Sequence, residues 1–287
     1  MNIAFWQQQL LNGVVNGAGY ACVAIGWTIL LGTARLVNFA HGTLYMLGAF
    51  VIWYFMSQLG LSYLAATLVA VVALALLGGV MQGLLRRLVA KQKYASIMIV
   101  TLGIGYILQG VAAILFGGNP QNLLSPLRPV RFEVSQVRFT LQDVAIVVFT
   151  LLIYGVVWAV RNKTRLGASV RALAEDAPLA QLFGINTALV YAGIFAFECA
   201  SVAAAAALVA PRSPILTSMG FEEVIMTFVV VVVGGIGSVG GALVAGLGLG
   251  IFIALFSSLV SSAYAMAAAF GILLIVLTVR PNGLSRE

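Results

Sequence analysis

The segment Leu36-Val37-Asn38-Phe39-Ala40-His41-Gly42 puts an amide, the chain's only imidazole and a glycine side by side, at the head of a run from 36 to 85 without Asp, Glu, Lys or Arg. Amide and neutral imidazole each offer a donor and an acceptor. Asn38 and His41 therefore suit holding freed backbone groups at a helix junction near Gly42, or lining and gating a polar path. A second isolated group is Glu198, the lone acid in the apolar stretch Phe195-Ala196-Phe197-Glu198-Cys199. A carboxyl at membrane depth is costly and must face protein or water. It could stay protonated, bind a substrate ammonium or pair with an arginine near a span end. Five glycines crowd the eight residues Gly234 to Gly241, and each costs a helix up to about 1 kcal/mol relative to Ala. They read as a tight interhelical turn, or as a discontinuous helix whose backbone faces a substrate path at Gly234, Gly235 and Gly237. Covalent chemistry has little to work with. One histidine cannot make an HExxH site, no GxSxG element is present, and Asn162-Lys163-Thr164 has Asn162 where a phosphate loop needs glycine. Any ATP-driven work would need a partner.

The elements that must position these groups are set by composition. Of 287 residues 62% are hydrophobic and only 8% charged, with a mean hydropathy of +1.09, against roughly 25% charged in soluble domains. This is an integral membrane protein. Its apolar runs are continuous rather than alternating, which selects an all-α polytopic helical bundle over a barrel. The charge-free windows are 1–34, 36–85, 94–127, 144–160, 177–197 and 224–279. They hold spans near 10–32, 39–57, 62–85, 95–116, 143–160, 189–209, 222–235, 239–258 and 262–279, eight or nine in all, in a single transmembrane domain over 1–287. The 222–235 piece is short and suits a half-helix. The prolines all fall in connections or at span ends, so bending is left to glycine. Gly13 and Gly17, and likewise Gly246 and Gly250, share a helix face at a spacing that lets helices approach closely. Cys22 and Cys199 lie in apolar runs as small hydrophobes.

The net charge of +7 is not a nucleic-acid signature, because the basic residues form short clusters between apolar runs. Placing Arg35, the group Arg86, Arg87, Lys91 and Lys93, the group Arg161, Lys163, Arg165 and Arg171, and Arg280 and Arg286 in the cytoplasm puts eleven basic residues inside. Four, Arg128, Arg131, Arg138 and Arg212, remain outside, so the N-terminus is outside and the C-terminus inside. The inner connection 161–188 then carries a helix over 168–174 and a second short helix. Asp176 caps that second helix, Pro178 stands in its first turn, Leu179, Leu182 and Phe183 give it an apolar face, and Gly184 ends it. Such a hairpin is a docking surface, or else a loop packed on its own bundle.

LVNFAHG, GASVRALAEDAPLAQLFGIN and VVGGIGSVGGALVAGLGLG, in this order and spacing, resemble the permease subunit of branched-chain amino acid ABC importers, of the LivH type. The resemblance runs from Leu11 to Leu284, where VRPNGL matches the family's end; residues 117–142 are its least typical part. It implies a bacterial inner-membrane, multi-pass subunit that carries its cargo by alternating access. The expected partners are a second homologous permease, two cytoplasmic ATPase subunits, a periplasmic substrate-binding protein and membrane lipid, with no nucleic acid. ATP and Mg would sit on the ATPases, and this chain would bind no cofactor. It further implies that Arg171, Ala174, Glu175, Asp176 and Gly184 belong to the coupling region, with Leu179, Leu182 and Phe183 on its face.

Similar permeases carry urea, short amides or aromatic acids, so the cargo has rivals. A stand-alone ion-coupled carrier would use Glu198 as its proton site and would have no need of the 161–188 hairpin. An intramembrane enzyme lacks a nucleophile motif. Glu222 and Glu223 suit the start of a helix, where its positive end favours acids, or contact with a binding protein. Phe195, Phe197 and Phe228 read as packing.

Overall fold

In hydrocarbon no water pairs with free N–H and C=O groups, and the charge-free runs accordingly fold into helices. The computed structural model describes residues 3–91, 93–134, 136–281 and 283–285; Arg286 and Asn282 lie outside the described residues. Helices α1 (Ile3–Ala34), α2 (His41–Ser57), α3 (Tyr63–Ala90) and α4 (Tyr94–Phe116) precede a β-hairpin of β1 (Arg131–Val134) and β2 (Val137–Thr140). Then come α5 (Leu141–Lys163), α6 (Arg165–Glu175), α7 (Ala177–Leu182), α8 (Thr187–Val209), α9 (Met219–Gly234), α10 (Val239–Leu259) and α11 (Ala265–Val279). The hairpin of β1 and β2 was not foreseen in the sequence, where 117–142 read only as a connection.

Among the described residues seven helices are long and apolar enough to cross a membrane. The helices α2 and α9, with 17 and 16 residues, reach only about 25 Å at 1.5 Å per residue. Neither is a simple span. His41, the first residue of α2, bonds to Val23, about 16 Å back from the end of α1 at Ala34. The irregular residues Arg35–Ala40 therefore climb back beside α1 before α2 can start. The junction lies buried inside the bundle, where Asn38 and His41 find partners. The second half repeats the order. Following α8, a short turn at Ala210–Arg212 and an irregular stretch return the chain inward, and α9 starts at Met219.

The two halves match in packing as well as order. Helix α1 packs along α10 as α8 packs along α3; α2 leans on α8 as α9 leans on α1; and α2 meets α9. This is the arrangement of inverted repeats built around discontinuous helices. The first turns of the two short helices touch backbone to backbone: a Cβ on Gly42 would lie 1.9 Å from the Gly220 carbonyl oxygen. The paired glycines of α1 and α10 also face one another, as their spacing implies. A Cβ on Gly17 would fall 2.6 Å from the Gly246 oxygen, and one on Gly250 would fall 2.2 Å from the Gly17 nitrogen. Lipid gives helices no hydrophobic reason to associate, so this close van der Waals seam supplies the attraction.

The structure places Arg35, Arg86 and Arg161 at one end of the bundle. Arg35, Arg86 and the α6–α7 junction border one cavity, and Arg161 Nη1 donates to the Gly237 carbonyl at 2.7 Å. At the opposite end Arg128 donates to the Pro211 carbonyl, and Arg212 reaches Asn16 and Asp143. The exposed Arg138–Glu133 pair adds at most about 1 kcal/mol.

Two outcomes test this architecture. Gly42→Val should cost about 3 kcal/mol or more through overpacking, whereas Gly110→Ala, which meets nothing within 4 Å, should change stability by less than about 1 kcal/mol; thermal unfolding in detergent measures both. For orientation, a cysteine at Leu124 should react with a membrane-impermeant maleimide on intact spheroplasts, and one at Leu182 only after lysis. The chain's own Cys22 and Cys199 are buried and stay silent.

Candidate functional site

The packing of three helices determines where Asn38, His41 and Glu198 meet. Gly26 lets α8 come so near α1 that a Cβ there would lie 2.7 Å from the Glu198 Cα. That approach aims Glu198 at the start of α2. Asn38 Nδ2 donates to both carboxylate oxygens, at 3.0 and 3.1 Å. His41 Nδ1 lies 3.0 Å from Glu198 Oε1, and Nε2 lies 3.1 Å from the Val23 carbonyl oxygen. A carbonyl only accepts, so Nε2 carries a proton. One further proton lies between Nδ1 and Oε1. On the imidazole it gives an ion pair, on the carboxyl a neutral pair; either way the unit has no net charge. This is how a carboxyl persists at membrane depth without an arginine. All three side chains are buried, and the Trp27 ring stacks on His41 at 5.0 Å between centroids.

Asn38 and one further residue, Thr101, satisfy the backbone of the irregular segment. Asn38 Oδ1 accepts from the Ala40 N–H, and Thr101 Oγ1 accepts from the Phe39 N–H. Sequence reasoning offered Asn38 and His41 two roles, holding backbone freed near Gly42 or lining and gating a polar path. For the first of these the structure divides the work: His41 reaches back to α1, and Asn38 serves the turn together with Thr101. The arginine partner considered for Glu198 is replaced by His41.

Of the other singled-out residues, Gly42 is the crossing point with α9. Gly234, Gly235 and Gly237 lie apart from the polar cluster, in the tight turn joining α9 to α10 at the inner end. Gly235 and Gly237 take φ of 103° and 84°, values open to glycine at no steric cost. Gly237 also packs on Gly32 of α1. Phe195 is buried packing, and Phe228 sits against Trp27. Glu222 lies in the first turn of α9. Trp27, Thr101 and Gly220 were missed in sequence; the available signal was the brevity of two apolar segments in corresponding places, noticed for 222–235 but not for 39–57.

The 161–188 hairpin forms as its residues dictate. Thr164 Oγ1 accepts from the Gly167 N–H to start α6, and Asp176 Oδ1 accepts from the Leu179 N–H at 2.9 Å to start α7. Gly184, at φ 82°, ends the turn. Leu173 and Ala180 are buried, whereas Leu179, Leu182 and Phe183 are 50%, 84% and 79% exposed. The hairpin is tied to the span that follows by Gln181 Nε2 donating to Thr187 Oγ1 at 2.6 Å. Arg171, Glu175 and Asp176 are exposed, with Ala174 partly covered. No group of His, Cys, Asp and Glu suited to a metal occurs among the described residues.

Glu198→Leu should strand the Asn38 amide and the imidazole without partners and cost about 3 kcal/mol or more; Glu198→Gln should cost less, since its amide oxygen still accepts. His41→Ala combined with Glu198→Leu should be less destabilising than the sum of the two. A double-mutant cycle in thermal unfolding measures the coupling; strict additivity would mean that the two groups do not act as a unit.

A family model described as branched-chain amino acid transport system / permease component matches residues 9–279. The chain is 31% identical to the high-affinity branched-chain amino acid transport system permease protein BraD of Pseudomonas aeruginosa, over 98% of this chain and 96% of that one. It is 32% identical to the corresponding protein LivH of Escherichia coli, over 98% and 95%. A probable branched-chain amino acid transport permease protein LivH of Methanocaldococcus jannaschii is 28% identical over 87% and 78%. Among solved structures, PsaBC from Streptococcus pneumoniae in complex with Fab aligns with a TM-score of 0.45 at 16% identity, over 97% of this chain and 91% of that one. A polytopic helical bundle, a family match along nearly its whole length and relatives above 30% identity agree: the chain belongs to the family of branched-chain amino acid transport system permease components.

Proposed function

We propose that this chain is the translocation subunit of an ATP-driven importer in a bacterial inner membrane, carrying branched-chain or similarly hydrophobic amino acids inward. In this reading it pairs with a second homologous permease, receives cargo from a periplasmic binding protein, and rests on two cytoplasmic ATPase subunits that hold the ATP and Mg. The observation that carries the reading is the α6–α7 hairpin. Its Leu179, Leu182 and Phe183 are exposed; in this reading they face the cytoplasm, and an apolar patch of that kind marks a protein contact.

The mechanism follows from how that hairpin is wired. A push on α7 reaches α8 through the Gln181–Thr187 bond. Helix α8 carries Glu198, which holds Asn38, His41 and so the start of α2. The base of the hairpin also grips the α9–α10 turn, through Arg161 on the Gly237 carbonyl. One rigid movement would therefore shift both short helices, whose first turns meet at Gly42 and Gly220, and switch the path between inward and outward access. Asn38, His41, Gly42 and Glu198 act as the joint of this movement, with Gly234, Gly235 and Gly237 as its inner pivot. The cargo undergoes no covalent chemistry.

Gentle affinity purification of the tagged chain from native membranes, followed by mass spectrometry, should recover two ATPases and a second permease. Leu182→Asp with Phe183→Asp should keep the chain's elution profile and thermal midpoint, since exposed positions change stability by only about 0.5 kcal/mol, while the ATPases are lost. Recovery of the chain alone, even after crosslinking, would overturn the reading.

A further inference from the structure

Beneath the α6–α7 hairpin lies a cavity of about 550 Å³, within the range of about 300–1,000 Å³ typical of small-ligand sites. Its charges are sorted by wall. Arg35, following α1, and Arg86, on α3, line the bundle side; Glu175 and Asp176, at the α6–α7 junction, line the hairpin side. Among the described residues neither arginine forms an ion pair with either carboxylate. The helices α4 and α8 begin at the same cavity, with Tyr94 and Thr187.

Two further observations point to a ligand. Gln82 is 7% exposed and lines the cavity, yet its side chain makes no hydrogen bond among the described residues. Arg35 holds φ at 53°, a left-handed conformation at a helix end where glycine is the unstrained choice. A backbone strained at a cavity wall, for the sake of a guanidinium, suggests a function for that guanidinium.

We infer that this cavity is a binding site for a zwitterionic α-amino acid with an apolar side chain, taken from the cytoplasmic side. Arg35 and Arg86 receive the carboxylate, Glu175 receives the ammonium, and Val89, Leu173 and Tyr191 form the apolar wall. Two cations facing two anions suit a molecule carrying one charge of each sign better than an anion. The bound molecule bridges hairpin and bundle, and so opposes the hairpin movement. Accumulated amino acid would then slow its own import. The choice of an apolar amino acid, and this consequence, rest on the import reading; the charge geometry does not.

Binding of L-leucine to the isolated full-length chain in nanodiscs tests the site directly by calorimetry. Arg35→Gly, which the backbone accepts without strain, and Glu175→Gln should each weaken binding by about tenfold or more, the scale of a lost charge-assisted contact. Isovalerate and isopentylamine, each keeping one charge, should bind about tenfold or more weaker than leucine. Unchanged leucine affinity in both variants would overturn the proposal. So would isovalerate, inorganic phosphate or phosphatidylglycerol vesicles displacing leucine at similar concentration, which would mark an anion site. In the reconstituted assembly, leucine on the cytoplasmic side should inhibit ATP-driven uptake by the unaltered protein and not by Arg35→Gly; equal inhibition of both would overturn the feedback. Absence of all uptake with leucine binding intact would overturn the import reading and leave the site standing.

Discussion

A helix that starts inside a bilayer must find partners for its first N–H groups where there is no water to supply them. Everything central to this protein follows from how that demand is met at His41. The irregular residues before it are affordable only because Asn38 and Thr101 take their N–H groups. Asn38 and His41 in turn are held by Glu198, whose carboxyl is tolerated only because they surround it. Each group needs the others, so the three helices α1, α2 and α8 are fixed together at one buried point.

The second half solves the same problem with different chemistry. Helix α9 also starts within the bundle, but its preceding segment is held by backbone pairing: Ile215 and Gln121 exchange two hydrogen bonds, and Arg128 caps the Pro211 carbonyl. One short helix is therefore anchored by a buried polar cluster and the other by the outer connection. The least typical part of the chain, 117–142, is thus also part of the scaffold, since it carries Gln121 and Arg128. Where the two short helices meet, only glycine fits, which leaves backbone against backbone at the centre of the bundle.

The inner end gathers the parts that would have to respond to a partner. The α6–α7 hairpin has its own caps, is joined to α8 by a side-chain bond and carries an apolar outer face. On its inner face lies a charged cavity rather than a dry core. The hairpin is thus tethered to α8 on one side and borders open space on the other.

Much of this was legible in the residues. Charge-free runs determined helices and their approximate limits, because length and hydropathy decide what a bilayer accepts. The glycine pairs at Gly13, Gly17, Gly246 and Gly250 announced close packing, and Asp176, Pro178 and Gly184 wrote the α7 turn locally. Asn38, His41 and Glu198 stood out because a polar group in lipid needs a reason. What sequence could not decide was their reason. The Glu198 carboxyl and the His41 ring are 157 positions apart, and whether Glu198 meets a substrate, an arginine or an imidazole depends on how closely α8 passes α1 at Gly26. The same holds for the depth of α2, since Leu36–Gly42 reads alike at the membrane face or at its middle, and for the charged cavity, whose walls come from five separate segments. Local chemistry is written along the chain; which charges face each other across a space is set only when helices pack.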